Sequence, residues 1–354
     1  MKFNYILYLI INNKKNAVAK IMFRRKDLIM LFDLSLDKLK EYKGSSKEPK
    51  DFDSFWKRTL KENSHNADAK YKLKNDYYLK LFDVWEVNFA GFGGHRIYGW
   101  YIAPKNAKGR LTCVMYYPGY GGGRDFPFKY LLYPSAGYST FVMEARGQGT
   151  EGANGGSVTY DPVGSGPHSD GFMTKGILNK DEYYYRRVFI DSLKAIEAAK
   201  QHELTDKIVI SGASQGGGMS LAATALSGFA NIKVEASLID VPFLCDYRRA
   251  ATIVDTYPYH QIARYCLSDR SKENQVFETL TYFDGVFFAK RCKVKALFST
   301  ALMDMICPPS TVFAAYNNYA GEKDIVVYTF NGHEGGDNEH NQKKLAFLNK
   351  NKIQ

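Results

Sequence analysis

A serine flanked by glycines, in Gly212-Ala213-Ser214-Gln215-Gly216, has the GxSxG spacing that can build a nucleophile. The apolar segment 207–212 before it predicts a β-strand, and residues 217–226 after it predict a helix. In a strand–turn–helix, the glycines allow a sharp turn that exposes the serine hydroxyl. The free amides and the positive end of the helix dipole then point at the same place. The pattern therefore predicts that Ser214 is a nucleophile rather than part of a structural turn.

A serine hydroxyl needs a base, and the base needs an orienting acid. Of the seven histidines, His333 directly follows the last predicted strand and lies in a loop with glycines on either side. His340 lies in a polar segment that reads as the start of the final helix. On α/β folds of this kind the chain order is Ser, then Asp, then His. Asp304 ends a late strand and is the preferred acid, and Asp240, which ends an earlier strand, is its rival.

The elements that must position these residues alternate between short apolar strands and helices. Such alternation is typical of a mostly parallel sheet covered by helices on both faces, with ligands at the carboxyl ends of the strands. Strands are predicted at 85–104 (two antiparallel strands joined by a glycine-rich turn), 111–119, 138–149, 207–212, 235–243, 293–304 and 324–330. Helices are predicted at 33–62 (two short ones), 181–202, 217–226, 308–319 and the C-terminal tail, with an irregular helical stretch over 244–291.

Composition excludes several other classes of protein. The chain has 354 residues and a net charge of +11, but no block of basic residues interleaved with aromatics, so nucleic-acid binding is not expected. The sequence contains no apolar run of about 18 residues, so no membrane-spanning helix is predicted. The five cysteines, Cys113, Cys245, Cys266, Cys292 and Cys307, show no CxxC pair. They are therefore expected to be reduced core residues of a cytoplasmic protein without a bound metal.

The first residues differ from the rest of the chain. Residues 1–30 hold seven basic residues and one acid, and their short apolar run includes Asn4. That run is too short to span a bilayer, and no small-residue cleavage site follows it. The prediction is that residues 1–29 are a leader or non-native extension outside the fold, with translation starting at Met30. Residues 30–354 then form a single α/β domain.

Several motifs resemble one known family. RGQG at 146–149, GASQGGG at 212–218 and His333-Glu334 are similar to the acetyl xylan esterase / cephalosporin C deacetylase family, carbohydrate esterase family 7 of the α/β-hydrolase superfamily. The segments 171–177, 183–189, 241–245 and 302–317 also resemble it, and the likeness covers roughly residues 31–350. The resemblance implies an α/β-hydrolase fold.

The resemblance also implies a function and a set of site residues. Ser214, Asp304 and His333 would form the catalytic triad, and the backbone amides of Tyr120 and Gln215 would form the oxyanion hole. Pro242 and Ile306 would line a small acyl pocket, with no metal or cofactor. The implied activity is removal of acetyl groups from small acetylated carbohydrates, xylo-oligosaccharides above all, and from cephalosporin C-like esters. A cytoplasmic homohexamer with active sites facing an inner cavity would be the assembly.

Two other readings stay open at this point. A general carboxylesterase or a peptidase on the same fold would use the same three residues, since a triad does not specify its acyl group. A non-catalytic binding protein on this fold is disfavoured because none of the three residues is missing.

Overall fold

The structure, a computed structural model, describes residues 32–149, 159–163 and 171–354. The predicted N-terminal extension, residues 1–29, lies outside the described residues. The helices are α1 Leu36–Glu41, α2 Phe52–Glu62, α3 Leu132–Ser135, α4 Tyr184–Lys200, α5 Gln215–Phe229, α6 Tyr247–Ile253, α7 His260–Ser268, α8 Glu273–Thr281, α9 Gly285–Ala289, α10 Pro309–Asn318 and α11 Asp337–Lys350. The strands are β1 Lys70–Lys74, β2 Phe82–Ala90, β3 Arg96–Pro104, β4 Leu111–Tyr117, β5 Ser139–Met143, β6 Thr205–Ala213, β7 Ala236–Asp240, β8 Lys295–Ala301 and β9 Lys323–Tyr328.

The strands of the described residues form one sheet in the order β1-β2-β3-β5-β4-β6-β7-β8-β9. The first three strands pair antiparallel, and β3 pairs antiparallel with β5. From β5 to β9 every neighbouring pair is parallel. The predicted mostly parallel sheet is therefore confirmed, and its parallel strands bring their carboxyl ends to one edge.

Alternation along the strands divides the core into two layers. Ile208 and Ile210 of β6 belong to the large cluster that also contains Phe189 of α4. Val209, between them, belongs to a smaller cluster with Leu348 of α11. Because successive side chains of a strand point to opposite faces, the two clusters lie on opposite faces of the sheet. Helices α4 and α5 thus cover one face, and α11 covers part of the other.

Most predicted elements are present, with ends that differ by a few residues. The two predicted strands over 85–104 are β2 and β3, and the irregular stretch 244–291 contains α6 to α9. The sequence did not predict β1, whose residues Lys-Tyr-Lys-Leu-Lys are largely exposed at the edge of the sheet. The segment alternates polar and apolar residues as a strand does, but it is only five residues long and three of them are lysines, which are depleted in strands. Charged side chains on an edge strand also discourage pairing with another chain.

His202, just before β6, is buried in an aromatic cluster on the outer part of the sheet. Its ring stacks on Tyr101 with ring centres 3.8 Å apart and lies 4.7 Å from Tyr71 and 4.8 Å from Trp85. Burial lowers the pKa of His202 from its ordinary 6.5 to about 4. The neutral imidazole is thus the form that the fold holds.

We expect this histidine to make the protein sensitive to acid. Between about pH 6.5 and pH 4 the unfolded chain binds a proton at His202 and the native state does not, so stability falls as the pH falls through this window. The shift corresponds to a loss of about 3 kcal/mol. Urea unfolding at pH 7 and pH 4.5 should show a smaller loss for His202→Phe, which retains ring stacking, than for the wild type. An equal loss in both proteins would contradict this assignment, and His260→Phe, at a partly exposed histidine, is the control.

Candidate active site

Ser214 lies in a strained turn between β6 and α5. Its backbone has φ 57° and ψ −122°, a conformation that non-glycine residues rarely adopt. Its N–H donates to the carbonyl of Asp240 (3.0 Å), and its own carbonyl accepts from the amides of Gly218 (3.1 Å) and Phe243 (2.9 Å). These bonds to the next strand and its loop hold the turn from both sides, which is how such strain persists in a fold.

The glycines on either side of Ser214 are required by close backbone approach. A Cβ atom at Gly212 would lie 2.4 Å from the carbonyl carbon of Gly216. A Cβ atom at Gly216 would lie 2.2 Å from the carbonyl oxygen of Tyr117, at the end of β4. Side chains at either position would push the start of α5 away from the sheet, so the GxSxG spacing is set by packing as well as by the turn.

Asp304 and His333, predicted from their places after two strands, are in contact. Asp304 is buried in the loop after β8, and its Oδ1 accepts from the amides of Ile306 (2.8 Å) and Cys307 (2.9 Å). Its Oδ2 lies 2.9 Å from Nδ1 of His333, in the loop between β9 and α11. Because a carboxylate only accepts, Nδ1 carries the hydrogen, and Nε2 is left as an acceptor.

An open cleft of about 260 Å³ brings Ser214 and His333 together at the carboxyl edge of the sheet. Ile306 and Tyr120, to which the family resemblance assigns an acyl-pocket and an oxyanion role, also line this cleft. Pro242 is not among its lining residues; it is buried, and its Cα would lie 2.9 Å from a Cβ placed at Gly217. The structure therefore places Ile306 at the cleft and Pro242 behind the start of α5.

The predicted oxyanion residues, Tyr120 and Gln215, lie at a pair of hydrogen-bonded glutamine side chains, those of Gln148 and Gln215. Gln215 is the first residue of α5, so its amide precedes the first intrahelical hydrogen bond. The side chains of Gln148 and Gln215 donate to each other, at 2.9 Å and 3.1 Å. Gln148 Oε1 also accepts from the amide of Gly121 (2.8 Å), next to Tyr120. The amide pair thus ties the loop after β4 to the serine turn.

Buried tyrosines of α4 support this glutamine pair. The Tyr185 hydroxyl donates to Gln215 Oε1 (2.9 Å), and Gln148 Nε2 donates to the Tyr184 hydroxyl (3.0 Å). The Tyr184 hydroxyl in turn donates to the carbonyl of Arg146 (2.6 Å). The side-chain oxygen and nitrogen of both glutamines therefore have hydrogen-bond partners, as a buried polar network requires.

Arg146, in the RGQG motif, is fully buried and forms a two-pronged ion pair with Asp191 of α4. Its Nε and one terminal nitrogen lie 2.6 Å and 2.8 Å from the two carboxylate oxygens. Paired charges of this kind are costly to break from one side only. Arg146 and Gln148 therefore fix the loop beside the serine turn and do not touch the cleft themselves.

Asp240, the rival acid, faces the other side of the sheet. Its carboxylate contacts Nε2 of His340 (3.0 Å) and Nζ of Lys344 (2.6 Å), both on α11. Burial alone would raise the pKa of Asp240, but these two partners outweigh it and lower the pKa to about 2. Among the described residues two separate His–Asp pairs are present, and of these two it is the pair of His333 and Asp304 that opens on the Ser214 cleft.

Cys307 lies close to the same pair, since its sulfur and ligand atoms of Asp304 and His333 are all within 4.8 Å of one another. These are residue types that bind metals, but metals prefer the thiolate. Burial raises the pKa of the Cys307 thiol well above its usual range, so the sulfur is neutral as long as no ion is bound to it. The hydrogen bonds described above account for the positions of Asp304 and His333 without any further ligand.

One wall of the cleft was not foreseen from the sequence. Tyr257, Pro258 and Gln261 line it, and they come from the irregular helical stretch after β7. Gln261 Oε1 accepts from the Tyr120 hydroxyl (3.0 Å) and from the amide of Met173 (3.3 Å). These three residues reach Ser214 only because the helical stretch folds over the edge of the sheet. The local sequence pattern of the stretch does not indicate this placement.

A strained serine on a sharp turn, at the carboxyl edge of a sheet with this strand order, is the hallmark of hydrolases of the α/β-hydrolase fold, and this chain is one of them. The family model described as "Acetyl xylan esterase (AXE1)" matches residues 29–351. The chain therefore belongs to the acetyl xylan esterase family and is a carboxylic ester hydrolase. Within residues 32–149, 159–163 and 171–354, each helix is too short or too polar to cross a membrane.

Known proteins of this family are similar along most of the chain. An acetyl xylan esterase from Paenibacillus sp. R4 is 35% identical, with a TM-score of 0.82 over 90% of this chain and 99% of its own. Acetyl Xylan Esterase 1 from Thermoanaerobacterium sp. JW/SL YS485 is 32% identical, with a TM-score of 0.79 over 89% of this chain and 99% of its own. Acetyl esterase Axe7A from Xylanibacter ruminicola is 26% identical over 316 residues, 87% of this chain and 68% of that protein.

The hydrogen-bonded pair of Gln148 and Gln215 leads to a testable prediction. Gln148→Leu removes one hydrogen-bond partner of Gln215 and the side chain that accepts from the Gly121 amide, so the loop after β4 should no longer be fixed beside the serine turn. We expect kcat for 4-nitrophenyl acetate to fall about tenfold or more, since each unpaired buried polar group costs about 1–3 kcal/mol. Gln201→Leu, at an exposed glutamine far from the cleft, is the matched control. A folded Gln148→Leu enzyme with unchanged kcat would refute this role.

Proposed function

We propose that this protein is a serine esterase that removes acetyl groups from acetylated xylo-oligosaccharides through an acetyl-enzyme on Ser214. The observation that carries the proposal is the 2.9 Å contact between Asp304 and His333 at the cleft that Ser214 also lines. Membership of the acetyl xylan esterase family supports the acetyl group and the xylan-derived alcohol. Peptidases on the same fold use the same kind of catalytic triad, but the family match does not favour a peptidase activity.

The proposed reaction is two acyl transfers. His333 Nε2 takes the proton of Ser214 as its Oγ attacks the acetyl carbonyl carbon, and Asp304 holds the imidazole and stabilises its cation. The tetrahedral oxyanion collapses, and the sugar oxygen leaves with the proton from His333. Water, deprotonated by His333, then attacks the acetyl-enzyme, which releases acetate and restores Ser214. This chain needs no cofactor for these steps.

The oxyanion would be bound by the backbone amides of Gln215 and Tyr120. The start of a helix suits the first donor, because the amide and the helix dipole both favour negative charge. The second donor would come from the loop that Gln148 ties to the serine turn. Losing one such donor typically costs about 3 kcal/mol of transition-state stabilisation.

The acyl pocket would be formed by Ile306 and Pro242. Ile306 lines the cleft directly, and Asp304 fixes its amide, so the side chain is held beside the reacting group. Pro242, packed behind the start of α5, would act by limiting how far this wall can move. A larger acyl group would then be excluded sterically, because an extra methylene in an apolar pocket changes binding by only about 1–3 kcal/mol.

Three finer features belong to the same proposal. Cephalosporin C-like acetyl esters would also be substrates, as the family resemblance implies, and no acidic side chain is among the described residues that line the cleft. The protein would be cytoplasmic, which suits its five unpaired cysteines. It would assemble as a homohexamer with the clefts facing an inner cavity, as the family resemblance implies, so that only small substrates enter.

Loss of any triad residue should abolish acetate release. Ser214→Ala and His333→Ala should remove most turnover of acetylated xylo-oligosaccharide, and Asp304→Asn should lower kcat by about 10⁴-fold because the wrong imidazole tautomer is then favoured. Ser227→Ala, on the same helix as the serine turn, is the control. Acetate release by Ser214→Ala at the wild-type rate would overturn the proposal, and peptide cleavage without acetate release would favour a peptidase.

Enlarging the acyl pocket should change the preference for acyl length. We expect Ile306→Ala to raise kcat/KM for propionyl and butyryl esters relative to acetyl by about tenfold, in line with one to two methylenes of new space. The measurement is hydrolysis of a series of 4-nitrophenyl esters. Ile325→Ala, at another half-buried isoleucine outside the cleft, should keep the wild-type profile. An unchanged profile in Ile306→Ala would rule out this pocket.

A further inference from the structure

A second cavity, of about 320 Å³, lies on the opposite face of the sheet from α5, between the carboxyl ends of the strands and α11. Within the part of the chain that the structure describes, it shares no lining residue with the Ser214 cleft. Its volume is within the range of small-molecule sites. Gly212 and Ala213 at the end of β6 line it, as do Glu334 and Gly335 in the loop of His333, so the segments next to Ser214 and His333 lie between the cavity and the cleft.

One wall of this cavity is aromatic. Tyr116 of β4 and Tyr130 pack with ring centres 5.0 Å apart, and Tyr133 of α3 lies beside them. The Tyr133 hydroxyl is 3.2 Å from that of Ser211, which also lines the cavity. Rings with polar tips offer a ligand both an apolar surface and hydrogen-bonding groups.

The facing wall is polar but nearly balanced in charge. Asp240 is paired with Lys344 at 2.6 Å and His340 at 3.0 Å, so its charge is compensated inside the protein. Lys129, which pairs with Asp125 at 2.7 Å, and the acids Glu334 and Asp337 also line the cavity. This balance does not favour a phosphate or another strong anion, whereas carboxylate, amide and hydroxyl groups suit a neutral ligand with many hydroxyls.

A buried hydroxyl without a partner belongs to a residue in the wall of this cavity. Thr140 of β5 is 1% exposed and lines the cavity, and its Oγ1 has no hydrogen-bond partner among the described residues. Thr140 pairs with Val114 in the neighbouring strand, so it lies on the same face of the sheet as Tyr116, two residues further on. A buried hydroxyl is costly unless it is hydrogen-bonded, and a ligand hydroxyl in the cavity would satisfy it.

We propose that this cavity is a second, non-catalytic binding site for a neutral pyranose. The sugar's C–H face would lie on the tyrosine wall, and its hydroxyls would bind Thr140, the Asp240 carboxylate and Asn341 of α11. The choice of xylose units as the ligand rests on the proposed function, because a product of xylan breakdown is the sugar that this enzyme would meet. A bound sugar chain would raise the local concentration of acetylated substrate at the nearby cleft.

The test is binding of xylotriose, which carries no acetyl group, to protein whose Ser214 cleft is blocked by a sulfonyl fluoride. We expect isothermal titration calorimetry to detect binding after the block, and Thr140→Val to raise the Kd about fivefold or more, as the loss of one hydrogen bond predicts. Thr112→Val is the matched control, since Thr112 is also buried with an unpartnered hydroxyl but does not line the cavity. Both variants should keep the wild-type kcat for 4-nitrophenyl acetate.

A second pair of variants guards against a folding defect. Asn341→Ala, at the cavity, should weaken xylotriose binding, whereas Asn338→Ala, one turn earlier on α11 and outside the cavity, should not. The absence of binding to the blocked protein, equal effects of the two threonine variants, or tighter binding of inorganic phosphate than of xylotriose would overturn the proposal. Failure of the proposed function would look different: acetate release would be absent, while xylotriose binding would still depend on Thr140.

Discussion

The close backbone packing at the serine turn is the constraint on which the rest of the site depends. Ser214 keeps its strained conformation only because its amide and carbonyl bond to Asp240, Gly218 and Phe243. Gly216 must then lie against the last residue of β4, which leaves no space for a side chain. The turn therefore needs β4, β6 and β7 in their observed order. The sheet is the part of the fold that holds Ser214 in its strained, exposed conformation.

Buried polar pairs carry this constraint outwards from the turn. The glutamine pair of Gln148 and Gln215 joins the loop after β4 to the serine turn, and Arg146 ties the RGQG loop to α4 through Asp191. Such groups are stable in a core only when each polar atom has a partner. The loops around the cleft are thus held in one position by directional hydrogen bonds and ion pairs. Apolar packing alone, which is not directional, would fix their positions less tightly.

The two His–Asp pairs show how far the sequence could lead. In the sequence both Asp240 and Asp304 are predicted to end strands, and His333 and His340 are seven residues apart, so spacing alone leaves more than one combination open. In the structure Asp240 ends β7, whereas Asp304 lies in the loop after β8. The sheet separates them: Asp240 faces α11 with His340 and Lys344, whereas Asp304 faces the cleft with His333. The order of residues in the fold family favoured Asp304 beforehand, but a one-residue change in the phase of β7 or β8 would have reversed the faces.

The sequence by itself determined the local elements and the residue types of the site. Glycine spacing, apolar periodicity and the positions after strands indicated the serine turn, the mostly parallel sheet and the candidate acid and base, because these depend on short-range geometry. Only the tertiary structure decided the wall of Tyr257 and Gln261, the place of Pro242 behind α5 and the second cavity at α11. These features arise from segments far apart in the chain, and the contacts that join them leave no periodic trace in either segment.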